Sequence, residues 1–205
     1  MNYLMLNNKK INLTDAQVEE IKKSFGFAGL KLADIPVGDT CKIGDYEFIV
    51  LEHSKDTTAV ITKELYIESS KFGANNNNFA DANCIVRQKL NEFSYKISAV
   101  IGENNLITHT VDLTSDDGLK DYEKISVKMS LLTCKLYRRY VYILDKFKIS
   151  KWWWLATAYS TPTHNDKSWV KCVSPRGSVI SFNYGSGNSG VRPFCILNSN
   201  IFVSK

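Results

Sequence analysis

Apolar and polar positions in this chain follow a period of two in some stretches and of three to four in others. The clearest period-two stretch is Tyr46–His53, where Tyr46, Phe48 and Val50 fall on one face and Glu47, Ile49 and Leu51 on the other. Both faces are largely apolar, which predicts a central strand buried on two sides. Cys41–Ile43 and Thr58–Thr62 read as its neighbours, joined through turns at Gly44-Asp45 and Ser54-Lys55-Asp56. Trp152, Trp153, Trp154 and Leu155 form a second dense apolar run, too short to span a bilayer and suited to another doubly buried strand.

The C-terminal quarter then alternates in short segments. Trp169–Ser174 puts Trp169, Lys171 and Val173 on one face and Val170 and Cys172 on the other; Val179–Tyr184 separates Ile180 and Phe182 from Ser181 and Asn183. Pro175-Arg176-Gly177-Ser178 and the Gly-rich 185–190 segment read as turns. Val191–Leu197 reads as the returning strand, with Pro193 marking an edge or a bulge. The expectation is an antiparallel meander with exposed polar tips.

Helical spacing appears three times. Thr14 and Gln17 form a capping box, and Val18, Ile21, Lys22 and Phe25 continue a helix over about 15–25 that Gly26 stops. Short strands at Tyr3–Leu6 and Lys10–Leu13, around an Asn7-Asn8-Lys9 turn, precede it. A second helix is expected over about 82–92, after the polar run Asn75–Asn78, and a third over about 134–144, capped by Thr133. Between them Ile97–Ile101, Leu106–Leu113 and Ile125–Leu132 read as strands. Arg138 and Arg139 read as solvated charges on the third helix.

Composition adds three constraints. The 205 residues suffice for a sizeable core, and 44% hydrophobic with 23% charged residues is ordinary for a globular chain. The formal charge of +5 is uneven: residues 151–205 carry six basic side chains against Asp166 alone, while the rest balances. Such a field favours anionic partners, though a mildly basic surface with no partner is the plainer reading; nucleic acid is not taken up as a partner. The five cysteines lack CxxC spacing and read as free thiols of a reducing compartment. The start, MNYLMLNNKK, has no signal-like apolar region, and no run reaches transmembrane length. Synthesis in the cytoplasm without membrane insertion is expected.

No familiar catalytic pattern appears. His53, His109 and His164 stand near neither a nucleophile elbow nor an HExxH helix. Asp112, Asp116 and Asp117 do not have EF-hand spacing, so neither metal nor cofactor is assigned. What remains is a recognition surface at the meander tips: Tyr159, His164, Asn165, Asp166, Trp169, Lys171, Asn183, Tyr184 and Asn188, where exposed rings among amides suit sugars or a protein surface. Trp169 and Tyr184 could equally complete the core.

The sequences WWWLATA, VSPRGSV and GVRPFCIL resemble the C-terminal signature of a bacterial and phage domain of unknown function built on the C-type-lectin fold. Trp153, Trp154 and Leu155 match its opening motif and Gly190-Val191-Arg192-Pro193 its closing one, while Ala156-Thr157 stand where the family has Arg-Ser. The similarity runs upstream to about Val37 and takes in Ala80, Asp81, Arg87 and Leu90. At fold level it extends to retroelement variable proteins and formylglycine-generating enzymes; the latter need neighbouring cysteines, and Cys172 and Cys195 fall on different predicted strands. Arg87 either pairs with an internal carboxylate or lines a groove.

The resemblance implies an α+β chain with a C-type-lectin-like domain over 37–205, of mixed or antiparallel sheets and two or three helices. The hairpin-helix unit over 1–36 lies outside the resemblance; it reads as a docking or assembly unit, or as a helix that only packs on the domain. The function expected is non-enzymatic recognition on a phage or mobile-element particle. The partner would be a host cell-surface glycan or protein, with other virion proteins held through residues 1–36 and homo-oligomers formed. The alternative is a structural virion protein, a capsid decoration or tail component.

Overall fold

The computed structural model describes residues 2–6, 9–24 and 29–205. The chain opens with an antiparallel hairpin, β1 (Asn2–Leu6) and β2 (Lys9–Leu13), followed by helix α1 (Asp15–Ser24). The capping box forms: Thr14 N–H donates to Gln17 Oε1 at 2.9 Å, and Gln17 N–H donates to Thr14 Oγ1 at 3.3 Å. The turn at Asn7-Asn8 and the helix stop at Phe25-Gly26 lie outside the described residues.

The larger unit starts with β3 (Leu30–Lys31). It continues through β4 (Thr40–Ile43), β5 (Tyr46–His53), β6 (Thr57–Thr62) and β7 (Ile67–Ser70) to helix α2 (Ile85–Ile101). Short strands β8 (Leu106–Ile107), β9 (His109–Asp112), β10 (Lys124–Val127) and β11 (Met129–Ser130) lead into helix α3 (Cys134–Leu144). The last part comprises β12 (Trp152–Ala158), β13 (Trp169–Val173), β14 (Val179–Asn183), β15 (Ser189–Val191), β16 (Phe194–Asn198) and β17 (Phe202–Val203).

Two sheets carry the unit. One runs β11-β16-β6-β5-β4, with β8 also on β16; the other runs β14-β13-β12-β15-β7. Pairing is antiparallel except for β12 with β15, which is parallel. The fold is therefore α+β with largely antiparallel sheets and few helices. β17 pairs with β3, so the two ends of the unit meet. Leu32 and Ile35 belong to the main core, and the packed unit begins near Leu30 rather than at Val37.

Alternation along the central strands feeds two cores. Phe48 and Val50 of β5 and Trp154 and Ala156 of β12 join α2's Leu90, Phe93 and Ile97 in the main core. Ile49 and Leu51 of β5 and Trp153 and Leu155 of β12 turn the other way, onto Tyr137, Tyr140 and Leu144 of α3. These two strands are buried on both faces, as their patterns predict.

Three expectations need correction. Ile97–Ile101 is not a strand but the end of α2, because Val86, Leu90, Phe93 and Ile97 lie on one helical face. The span Leu106–Leu113 is two short strands, and so is most of Ile125–Leu132. Most consequentially, Val191–Leu197 does not close the meander. The chain leaves the second sheet after Val191 and enters the first at Phe194. Pro193 sits at this crossing, with no N–H to continue a ladder, while its carbonyl accepts from Thr62 N–H at 2.9 Å.

Candidate functional site

The meander is real for β12, β13 and β14, and its register builds the site. Ala158 stands opposite Val170, and Tyr159 N–H donates to Trp169 O at 2.9 Å. Trp169 in turn stands opposite Asn183. Residues directly opposite share a face, so Tyr159, Trp169 and Asn183 form one row across three strands. Tyr159 is 47% exposed and Trp169 44%, and Asn183 is also exposed.

Lys171 follows Trp169 on the same face, but it is not an exposed tip residue: it is only 8% exposed. Its ammonium lies 2.9 Å from Asp116 Oδ2 and 5.5 Å from the centre of the Tyr159 ring. Asp116 also meets Arg138 of α3 at 3.4 Å, and its own N–H donates to Ala158 O at 2.9 Å. Lys171 thus props the Tyr159 ring while its own charge is paired with Asp116, which it shares with Arg138. Beside the row opens a cleft of about 290 Å³ lined by Thr114, Asp116, Arg138 and Thr157, among others.

Three loops hold the row in place. Asn77 is fully buried, and its amide donates to Ser160 O at 3.1 Å and Trp169 O at 3.0 Å. Its carbonyl oxygen accepts from the Tyr122 hydroxyl, and its N–H donates to Lys167 O at 2.9 Å. Burial and the nearby charges of Asp121 and Asp166 push the Tyr122 phenol up to about 12, which keeps it a donor. Asp117 accepts from Ser115 and Ser160 hydroxyls and from His164 Nδ1 at 3.0 Å. These hydrogen bonds, that of Ser115 foremost, hold its carboxyl well below the usual range. Asp121 accepts from Thr163 N–H at 3.1 Å and from the Thr163 hydroxyl at 2.8 Å.

Among the described residues no serine hydroxyl bonds His164; both serine hydroxyls bond the Asp117 carboxylate, and the group ties the loops together. Among the described residues, no group of three or more His, Cys, Asp or Glu is placed to hold a metal ion.

The other expected residues scatter. Asn165 is exposed in a left-handed turn, and Asp166 spends Oδ1 on Ser168 N–H at 2.8 Å. Tyr184 turns to the opposite face and packs half-buried on the main core. Asn188 does not belong to the tip: Ser189 pairs with Trp152, at the far end of β12, about 20 Å along the strand from Tyr159. Arg87 pairs with no carboxylate among the described residues; it donates to Ala80 O ahead of α2. Asp116, Asn77 and Tyr122 escape a sequence reading. The runs Asn75–Asn78 and Asp116-Asp117 flag polar loops, but nothing local says which side chain turns inward.

The five cysteines are free and buried, and burial pushes the thiols of Cys41 and Cys172 up to about 12. Cys172 and Cys195 lie in different sheets. A larger cavity of about 590 Å³, lined by Lys42, Val100, Asn198 and Phe202 among others, reaches Gly29, next to residues outside the described part. It brings no expected site residue together. Compared with known proteins, the chain matches no family model, no curated protein and no solved structure.

Proposed function

We propose that residues from about 30 onward form a C-type-lectin-like recognition domain. It binds a glycan on a host cell surface without catalysing a reaction and is carried on a phage or mobile-element particle. The fold reading rests on the WWL and GVRP motifs and on the pairing of β3 with β17, which joins the ends of the unit. The particle setting rests on the resemblance alone.

One observation carries the binding reading. Tyr159 and Trp169 are neighbours on one face, nearly half exposed, with the Asn183 amide completing their row. Rings held by a sheet offer stacking area at little conformational cost, and an adjacent amide can both donate to and accept from hydroxyls. His164 and Asn165 on the next loop extend the polar rim.

The test is a glycan array probed with the full chain, followed by Trp169→Ala and Tyr159→Ala. Wild type should bind a restricted glycan set, and each variant should lose about tenfold or more in affinity with an unchanged thermal melt. A wild-type chain that binds no glycan sinks the reading and leaves the structural virion role.

A further inference from the structure

We propose that β14 is the seam of a homodimer in which two copies join edge to edge into one ten-stranded sheet. β14 ends the strand order of its five-stranded sheet, so among the described residues no strand pairs with its outer side.

The phase of the ladder identifies the free groups. Ser174 N–H donates to Ser178 O, and Tyr184 N–H donates to Ser168 O, each at 2.8 Å. Residues 178, 180, 182 and 184 therefore direct their backbone groups at β13, and Val179, Ser181 and Asn183 direct theirs outward. Asn183 O is used by Ser186 N–H at 2.9 Å. The N–H and C=O of Val179 and Ser181 and the N–H of Asn183 have no partner among the described residues.

Exposed edges are normally guarded by charge, proline or a bulge. Val179-Ile180-Ser181-Phe182-Asn183 has no charged residue and no proline, and its register with β13 is unbroken. The strand is also self-complementary. An antiparallel pairing about a two-fold at Ser181 sets Ser181 against its own copy, Ile180 against Phe182 and Val179 against Asn183 of the second copy. Ser181 then exchanges both bonds with its copy, Asn183 N–H donates to Val179 O, and Val179 N–H shares Asn183 O with Ser186 N–H; Ile–Phe pairs form on one face, and no like charges are opposed. A foreign strand would lack this symmetry.

The two-fold keeps both Tyr159–Trp169–Asn183 rows on the same face, with the two Trp169 residues about 20 Å apart. If the recognition reading holds, the dimer is bivalent. The seam is short, so the dimer is expected to be weak and concentration-dependent.

The test is sedimentation of the full chain, without ligand, from micromolar to millimolar concentration. Mass should rise from 23.2 kDa towards twice that value. Ser181→Pro removes one outward N–H and no bond to β13; Ser181→Lys sets two ammonium groups face to face. Each should weaken the dimer at least tenfold while the circular dichroism spectrum is retained. A constant 23.2 kDa mass across the range overturns the proposal. So does a dimer that both variants leave intact, or a monomer whose edge takes up only an added extended peptide. Because no glycan is present, the outcome is independent of the array experiment.

Discussion

The guanidinium of Arg192 lies 5.2 Å from the centre of the Trp153 ring, and the side chain is almost wholly buried. It forms no ion pair with a carboxylate among the described residues. Instead Nε donates to Thr62 O and Nη2 to Lys63 O, each at 2.9 Å, and Nη2 reaches Phe147 O at 3.4 Å. Burial lowers its pKa to about 10, so it remains charged at neutral pH. One cation thus ties the end of β6, the segment after α3 and the crossing from β15 to β16. Arg192 lies in the GVRPFCIL stretch and Trp153 in WWWLATA, and their contact joins the two.

Arg192→Met should therefore destabilise the fold by about 3 kcal/mol or more, since it strands buried carbonyls. Arg192→Lys should cost about 2 kcal/mol, because an ammonium keeps the charge but not the planar fork. Urea denaturation followed by Trp fluorescence checks both. A cost within about 0.5 kcal/mol of zero for the methionine variant would show that the carbonyls find water.

Asn77 makes the same argument for the loop end. Asn77→Ala removes two donors and one acceptor from a fully buried position; it leaves the Tyr122 hydroxyl and the Ser160 carbonyl unpaired, while Trp169 O keeps its bond from Tyr159 N–H. At roughly 1–3 kcal/mol for a buried group left unsatisfied, a loss of about 3 kcal/mol is expected. Hydrogen exchange should rise over residues 159–169 and at Tyr122 before it rises in β5. An unchanged exchange pattern would mean that the loops are held by Asp117 and Asp121 instead.

Much of this architecture was legible in the chain, and what was hidden was hidden for a reason. Tyr46–His53 and Cys134–Leu144 were read with their observed bounds, because each has a continuous period and, for the helix, a cap at Thr133. Ile97–Ile101 misled because its β-branched residues outweighed a helical spacing that began at Val86. The row is half legible: alternation gives Trp169 and Asn183 each a face of its strand, but the register that sets them opposite depends on the turn between. Lys171 reads as exposed because its partner, Asp116, is 55 residues away and no local pattern encodes that meeting. Asn188 was misplaced because the switch to a parallel pairing at β15 leaves no periodic trace.

The Lys171–Asp116 pair separates stability from recognition. Asp116→Asn should cost about 2 kcal/mol, at the low end for a buried pair because Asp116 is partly exposed. It should also weaken glycan binding, since Lys171 no longer holds its place against the Tyr159 ring. Trp169→Ala should weaken binding with little effect on the melt. Thermal denaturation and binding on the same samples check the distinction. An Asp116→Asn chain that binds as wild type would detach the charge cluster from the site.

Acid should open the loop end first. Asp117 is held below the usual carboxylate range by the Ser115 and Ser160 hydroxyls, His164 and Leu119 N–H, and Asp121 by the nearby Thr161 hydroxyl and by bonds from the Thr163 hydroxyl and N–H. A depressed folded pKa means that the unfolded chain takes up the proton first as pH falls. The stabilisation is therefore complete above the unfolded aspartate value of about 4 and is lost as pH falls below it towards the folded value. Asp117→Asn lacks the titrating acceptor, so it should melt lower than wild type at pH 7 and change less with acid. The gap between the two melting temperatures should narrow steadily below about pH 4. Thermal melts across that range decide the matter: a gap that stays constant would place the acid response elsewhere, at Asp81, Asp112 or Glu47, whose carboxyls are lowered by their own hydrogen bonds.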